Sequence, residues 1–309
     1  MKILIELPTW LGDTVMISPS LVNIINNYKD ATITVFGSKV SVEVIQDFPK
    51  IDSIFLVSKS FKSTYLAIHK IRTHDYDIHI SFRSSFRSKL VSYFVKSHKK
   101  FQFNKNKYNS GHQVERYNNF INDSLKLQSS PGPLFLERLT NTLARKKIIG
   151  INPGAAFGSA KRWTVEGFCE VALELSKNFQ INIYGSLAEL DICKSIEDYL
   201  SENNVKNFIN LCGKTTISEL KNEIKQLSLF ITGDSGPMHI AANYQVPSIS
   251  IFGPTKYRET SQWKNKNSKV IKQNLDCQPC MKRECPLGHH NCMEKISSEE
   301  VIYEALKLL

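Results

Sequence analysis

Leu229-Phe230-Ile231-Thr232-Gly233-Asp234-Ser235-Gly236-Pro237-Met238-His239 is an apolar run that stops at an acid bracketed by glycines. Leu, Phe and Ile leading into Gly233 have the composition of a buried parallel strand. Pro237, whose fixed φ suits a first helical turn, predicts a helix running on through Ile240, Ala241 and Ala242. A strand that delivers a helix start gathers unpaired backbone amides at one point, and such a point binds anions. Ser235 is placed to cap that helix, and Gly236 lets a ligand approach the backbone. Asp234 and His239 send side chains to the same end of the sheet. Taken alone, the stretch suits a purely structural turn with a core histidine equally well, so its neighbours have to decide.

Outward from this point the chain alternates strand-like and helix-like segments, the pattern of a parallel sheet wrapped by helices. Strands are predicted over 2–7, 32–36, 53–57, 77–81 and 99–103, with helical stretches over 14–28, 39–47, 61–72, 84–95 and 111–127. Pro19 belongs in the first turn of its helix with Ser18 as the cap. Ser-Ser-Pro-Gly-Pro, within 128–133, is the strongest linker signal. The alternation then restarts with strands at 147–152, 181–185, 207–211 and 246–252 and helices at 164–177 and 188–200. Capping boxes at Thr216 with Glu219 and at Ser297 with Glu300 open two more helices. The predicted fold class is α/β, two doubly wound Rossmann-like domains over 1–145 and 146–309 facing each other across a cleft, with the last helix a candidate to pack back on the first domain.

A chain of 309 residues, 41% hydrophobic, is long enough for two such cores. Its formal net charge is +11, and residues 1–145 hold 20 Lys and Arg against 11 Asp and Glu, so the surplus sits almost wholly in the first half. Such a field favours an anionic partner: nucleic acid, an acidic membrane surface or a phosphorylated glycan. The opening apolar run is too short for a signal peptide and is broken by Glu6 and Pro8, and nothing approaches the length of a membrane span. The expected location is cytoplasmic, with most of the seven cysteines reduced and any membrane contact peripheral.

In a parallel sheet, ligands sit beyond the carboxyl ends of the strands. Three loops there share a character. Trp10-Leu11-Gly12-Asp13 puts an acid at a helix start, where it either complements the helix dipole or serves as a general base. The stretch 152–163 begins Asn152-Pro153-Gly154 and ends Lys161-Arg162-Trp163; so glycine-rich and cationic a loop suits a diphosphate. The third loop is the opening stretch.

On these residues, with Gly185-Ser186 and Glu189 added, most of the chain resembles the lipopolysaccharide heptosyltransferases of glycosyltransferase family 9, which have the two-domain GT-B fold. The forms Trp-Leu-Gly-Asp and Lys-Arg-Trp are more similar to the heptosyltransferase II branch than to the enzymes that add the first heptose. The resemblance implies inverting transfer of L-glycero-D-manno-heptose from ADP-heptose onto the heptose-Kdo-lipid A inner core. The first domain would bind the acceptor and the second the nucleotide sugar.

The resemblance also implies roles. Asp13 matches the family's base, taking the proton of the acceptor hydroxyl, and Lys161 the cation that neutralises the departing diphosphate. Gly12, Asn152 and Gly154 fall in the donor-binding motifs. Asp234, Ser235, Gly236 and His239 match the donor turn, with Ser235 and the Gly236 amide on phosphate and Asp234 and His239 nearer the sugar or holding the turn. Glu189 suits a ribose diol. No cofactor or metal is needed on this reading, because lysine and the helix dipole handle the diphosphate.

The basic first half then acquires a purpose. Arg83 and Arg87, in Phe82-Arg83-Ser84-Ser85-Phe86-Arg87, are candidates to grip acceptor phosphates or Kdo carboxylates bidentately, whereas Lys96, Lys99, Lys100, Lys105 and Lys107 suit a solvated surface. His112 and Arg116, the other acceptor-binding candidates, occupy a helix start resembling one in the family, where a plain helix surface is the alternative. Cys277, Cys280, Cys285 and Cys292 have spacing compatible with a four-ligand zinc site, set against reduced cysteines packing a loop. The expected partners are ADP-heptose and a lipid A-linked acceptor at the inner membrane surface. Another family 9 transferase with a different acceptor or nucleotide sugar is the competing reading. Nucleic acid is disfavoured because no binding motif accompanies the charge. The sequence sets no oligomeric state.

Overall fold

The protein, seen as a computed structural model described over residues 1–58, 60–138 and 144–309 and by backbone alone over 61–64, divides into two units, Met1–Thr140 and Asn141–Leu309. The sequence suggested a division after residue 145; residues 139–143 lie outside the described ones.

In chain order the first unit comprises β1 (Lys2–Glu6), α1 (Leu11–Met16), α2 (Ser18–Asn27), β2 (Thr32–Gly37), α3 (Lys39–Ile45), β3 (Ser53–Leu56), α4 (Phe61–Ile71), β4 (Tyr76–Ser81), α5 (Phe86–Phe94), β5 (Ser97–Gln102) and α6 (Gln113–Leu125). Its sheet runs β3-β2-β1-β4-β5 with every described pairing parallel. The chain begins at the centre, winds to one edge and crosses back through β4. Ile3, Leu4 and Ile5 are fully buried because helices cover both faces, as a continuous apolar strand requires. The carboxyl ends of β1 and β4, paired as Glu6 with Ser81, mark the point where the winding reverses.

The second unit repeats the plan with β6 (Lys146–Asn152), α7 (Val165–Ser176), β7 (Gln180–Ile183), α8 (Leu190–Glu202), β8 (Phe208–Asn210), α9 (Ile217–Ile224), β9 (Leu227–Gly233), α10 (Gly236–Asn243), β10 (Ser248–Phe252), α11 (Tyr257–Thr260), β11 (Ser268–Lys272), α12 (Asn291–Glu294) and α13 (Ser298–Leu308). Its order is β11-β10-β9-β6-β7-β8, again parallel, and the reversal lies between β6 and β9, where Asn152 pairs with Thr232. Ile149, Ile151, Leu229, Ile231, Ile249 and Ile251 form the layer against which α7, α8 and α13 close. Trp163 anchors the loop after β6: it is 3% exposed, stands edge-on to Phe168 and donates from Nε1 to the Ile296 carbonyl at 3.0 Å. Burial of that size, with its one polar atom satisfied, fixes where the loop before it can lie.

Several local expectations change. Ser18 is the first residue of α2 and not its cap. Its Oγ instead accepts the Phe135 N–H at 3.0 Å, because the segment after α6 returns across α2. The Ser-Ser-Pro-Gly-Pro stretch is docked, not a free linker: Asn118 and Asn122 donate to the Ser129 carbonyl at 2.6 and 2.8 Å, Asn23 donates to that of Ser130, and Leu134 and Leu136 are buried. The helix expected from Thr14 starts at Leu11, so Asp13 lies inside its first turn. The last helix packs on α7, β10 and β11 of its own unit.

Candidate functional site

The β6–β9 reversal gathers four of the residues singled out from the sequence. Asn152 ends β6, and its Nδ2 donates to Thr232 Oγ1 at 3.2 Å and to Ser235 Oγ at 3.5 Å, while the two hydroxyls bond each other at 2.8 Å. Ser235 is therefore the residue before α10 without capping it through its side chain: Thr232 is nearer and takes the hydroxyl. The amides that open α10 are left to the helix dipole, and no acid lies in its first turn.

Lys161 reaches this point from the loop after β6. Its Nζ stands 2.5 Å from Asp234 Oδ2, with side chains 14% and 6% exposed, and 4.9 Å from the centre of the Phe157 ring. Thr255, from the loop after β10, donates to the same Asp234 oxygen at 2.6 Å. A lysine held between a carboxylate and an aromatic face loses rotamer freedom before any ligand arrives, and Asp234 offsets its charge. Asp234 thus holds the turn together. An open pocket of about 680 Å³, lined by Thr255, Lys256, Tyr257 and Lys272 among others, continues from here along the ends of β10 and β11.

Glu189 lies on the other side, beyond β7. Oε2 accepts the Ser186 N–H at 2.7 Å and the Ser186 hydroxyl at 3.0 Å, closing a capping box. Its Oε1 lies against Gly154, where a Cβ would sit 1.9 Å from that oxygen, so the glycine is demanded by the carboxylate's approach. His239 is 3% exposed in α10 and belongs to the interior.

The cysteine-rich segment has a definite place. Cys277, Cys280, Cys285 and Cys292 line one small cavity with Ala160 and His290. Among the described residues, no three Cys, His, Asp or Glu side chains are grouped as metal ligands. The segment backs the Lys161 loop. Ala160 N donates to the Arg283 carbonyl at 3.0 Å, and a carbonyl can only accept, so His290 donates from Nε2 to Ala160 O at 2.9 Å. At Gly158 a Cβ would meet the Arg283 carbonyl at 2.4 Å, and the Arg283 guanidinium stacks 5.3 Å from the Phe157 ring. Cys285 is the hub of this turn: its sulfur accepts the His290 N–H at 3.4 Å, and amides of 287–290 draw its thiol below the ordinary range.

The first unit builds a different end. Glu6, 1% exposed, accepts the Ser81 hydroxyl at 2.6 Å and pairs with Arg83 Nη1 at 3.3 Å. Arg83 is thereby committed to a buried carboxylate, and Arg87 donates to the Ser58 carbonyl at 3.1 Å. Gly12 is buried within α1. Asp13 beside it receives a hydrogen bond from Tyr117 of α6 at 3.0 Å. Burial first, and then the Asp13 carboxylate, push the Tyr117 phenol well above its ordinary range, so it remains a donor. His112 caps α6: its Nδ1 accepts the Val114 N–H at 3.2 Å while Glu115 returns a bond to the His112 N–H at 2.7 Å. Arg116 donates to the Asn109 carbonyl at 3.0 Å.

Thr232, Thr255, Tyr117 and Glu6 are the participants that sequence reasoning missed. Thr232 and Glu6 each carried a signal, a polar residue inside an apolar strand. Thr255 follows a fourth strand end in Phe252-Gly253-Pro254-Thr255. Tyr117 meets Asp13 from far along the chain, and no local pattern announces it.

The sequence model described as "Glycosyltransferase family 9 (heptosyltransferase)" matches residues 107–291. A lipooligosaccharide heptosyltransferase 2 of Campylobacter jejuni subsp. jejuni is 44% identical over the whole of this chain and 98% of its own length. Among solved structures, the Escherichia coli ADP-heptose lipopolysaccharide heptosyltransferase II superposes with a TM-score of 0.83 at 23% identity, covering 100% of this chain and 98% of that one. The E. coli heptosyltransferase WaaC with ADP gives 0.78 at 15% identity over 100% of both chains. The two parallel sheets are those of the GT-B heptosyltransferases. No described helix is long and apolar enough to cross a membrane. Matched over more than half its length by the family and over all of it by a close relative, the chain belongs to glycosyltransferase family 9, the heptosyltransferases.

Proposed function

We propose that this chain transfers L-glycero-D-manno-heptose from ADP-heptose to the heptose-Kdo-lipid A inner core, with inversion, as a heptosyltransferase of the second-heptose type. The observation that carries the donor half is the Lys161–Asp234 pair at the β6–β9 reversal, beside the uncapped start of α10. A diphosphate placed there meets a lysine already oriented and helix amides already unpaired, so little reorganisation accompanies its binding. As the glycosidic bond to ADP breaks, Lys161 stabilises the charge that develops on the β-phosphate. Asp234 and Thr255 hold Lys161 in place, and Glu189 takes the ribose hydroxyls.

The acceptor half belongs to Asp13. The acceptor hydroxyl attacks the anomeric carbon from the face opposite ADP and loses its proton to Asp13. Positioned general bases are worth about 10² to 10⁴ in rate. The Tyr117 hydroxyl on Oδ1 orients the carboxylate that takes the proton. With inversion, one displacement completes the transfer, and the proton leaves with Asp13.

Incubation of the protein with ADP-heptose and truncated inner-core acceptors, with the product detected by mass, tests the reading. One added heptose on a heptose-Kdo acceptor, with release of ADP, is the expected product. Transfer to a Kdo acceptor lacking the first heptose, or transfer from another nucleotide sugar only, would replace it with the competing family 9 reading.

A further inference from the structure

α5 is turned inside out. It buries Ser88 and Val91 against the sheet and exposes Phe86, Leu90, Tyr93 and Phe94, with Phe86 and Tyr93 74% and 77% exposed. On neighbouring α4, Tyr65 and Leu66 are exposed as well. The two helices are adjacent, since Ile68, Ile71 and Val91 share one core cluster and the Arg72 guanidinium lies 5.9 Å from the Phe94 ring centre. Single exposed apolar residues need no explanation, but a contiguous group of large ones on a helix whose small residues face inward does. Interior packing does not account for it, because the sheet side is already filled.

Cations surround this face. Lys89 lies within it, Arg72 reaches it from the end of α4, Lys96 follows α5, and Lys100 of the edge strand β5 donates to the Tyr93 carbonyl at 3.3 Å. Apolar and aromatic side chains interleaved with Lys and Arg suit a surface that is greasy a few ångströms down and anionic on top, which is an acidic lipid bilayer. A second protein copy would present the same cations to this face, and like charges would oppose each other. We infer that the exposed face of α5, with the end of α4 and the cations Lys96 and Lys100, is the surface by which the enzyme docks on anionic lipid. The inference rests on the proposed function only in its purpose, which is to bring the enzyme to an acceptor anchored in that lipid.

The test uses the full chain and two variants, F86S/L90S/Y93S and K89E/K96E, none of these positions belonging to the donor or acceptor machinery. Co-sedimentation is measured with phosphatidylethanolamine vesicles with and without phosphatidylglycerol, alongside transfer to a water-soluble truncated acceptor. Wild type should sediment with phosphatidylglycerol vesicles and be released by about 0.5 M salt, where screening shortens to a few ångströms. Each variant should lose about tenfold or more in vesicle affinity while transferring to the soluble acceptor at the wild-type rate. Vesicle binding by both variants equal to that of wild type would overturn the inference. So would a wild-type dimer that the triple variant dissolves with no change in lipid binding, which would assign the face to a second copy. Absence of transfer by all three proteins would overturn the proposed reaction and leave the lipid result to stand or fall by itself.

Discussion

The two units wind the same way and end their central strands in opposite chemistry. At the reversal of the second unit the paired residues are Asn152 and Thr232, neutral donors and acceptors linked to Ser235, and the charge lies beyond them on Lys161. At the equivalent point of the first unit the pair is Glu6 and Ser81, a buried carboxylate that holds Arg83. Each end carries an ion pair, and the units differ in where its acid sits: Asp234 lies in the loop beside Lys161, whereas Glu6 closes the strand itself and draws Arg83 inward. One topology thus carries two closures of its first strand, an amide in one unit and a carboxylate in the other. The first unit is also the one whose next helix carries Asp13, the proposed base.

The largest expected effect separates these roles. Asp13→Asn keeps the Tyr117 contact but not the base, and the transfer rate should fall by about 10² to 10⁴. Stopped-time assays with mass detection measure it, and turnover within tenfold of wild type would remove Asp13 from the mechanism.

The next distinguishes the units by acid. His79 on β4 is fully buried, its Nδ1 faces Ser92 Oγ at 3.2 Å, and Nε2 has no partner among the described residues. Burial, helped by Lys100, lowers its pKa from 6.5 to about 4. The unfolded chain takes a proton on this ring below about 6.5 and the native unit only below about 4, so the proton favours unfolding across that window. The first unit should lose about 3 kcal/mol between those pH values, and little more below them from this group. Denaturant melts from pH 7 to 4, with and without His79→Leu, check it: the variant should shed most of the acid dependence, and an unchanged slope would contradict it.

A smaller change tests the strand-end contrast by erasing it. Asn152→Asp gives the second unit the charge the first already has, and ADP affinity should weaken by about tenfold through like-charge repulsion. Calorimetric titration reads the change directly, and affinity equal to wild type would mean that this end does not face the diphosphate. The converse substitution, Glu6→Gln, should leave ADP affinity within about twofold while costing roughly 1–2 kcal/mol of stability as Arg83 loses its partner. A large loss of ADP affinity in Glu6→Gln would place the nucleotide in the wrong unit.

The fold was legible because buried parallel strands are continuous apolar runs: Leu229-Phe230-Ile231 and Ile3-Leu4-Ile5 announce themselves, and the residues that end them sit where the loops begin. Asn152, Asp234 and Ser235 were legible for the same reason, since each lies within two positions of a strand end, and Lys161 stood out as a cation late in the long loop after β6. Their partnerships were not. Asp234 spends its charge on Lys161 and Thr255, Ser235 turns to Thr232 instead of the helix amides, and Arg83 is drawn inward by Glu6, all choices made by contacts between segments distant in sequence. Ser-Ser-Pro-Gly-Pro misleads as a linker because turn residues report local backbone geometry and say nothing of what docks on it. The four cysteines do share one cavity, but the contacts by which Cys285 and His290 brace Ala160, next to Lys161, were not legible from their spacing.

The division of labour between the units is tested most directly by titrating ADP-heptose into wild type, Asp13→Asn and Lys161→Ala by calorimetry. If the β6–β9 end holds the diphosphate and Asp13 serves only the acceptor, Asp13→Asn binds within about twofold of wild type and Lys161→Ala at least about tenfold more weakly. Wild-type affinity in Lys161→Ala together with lost affinity in Asp13→Asn would contradict the account.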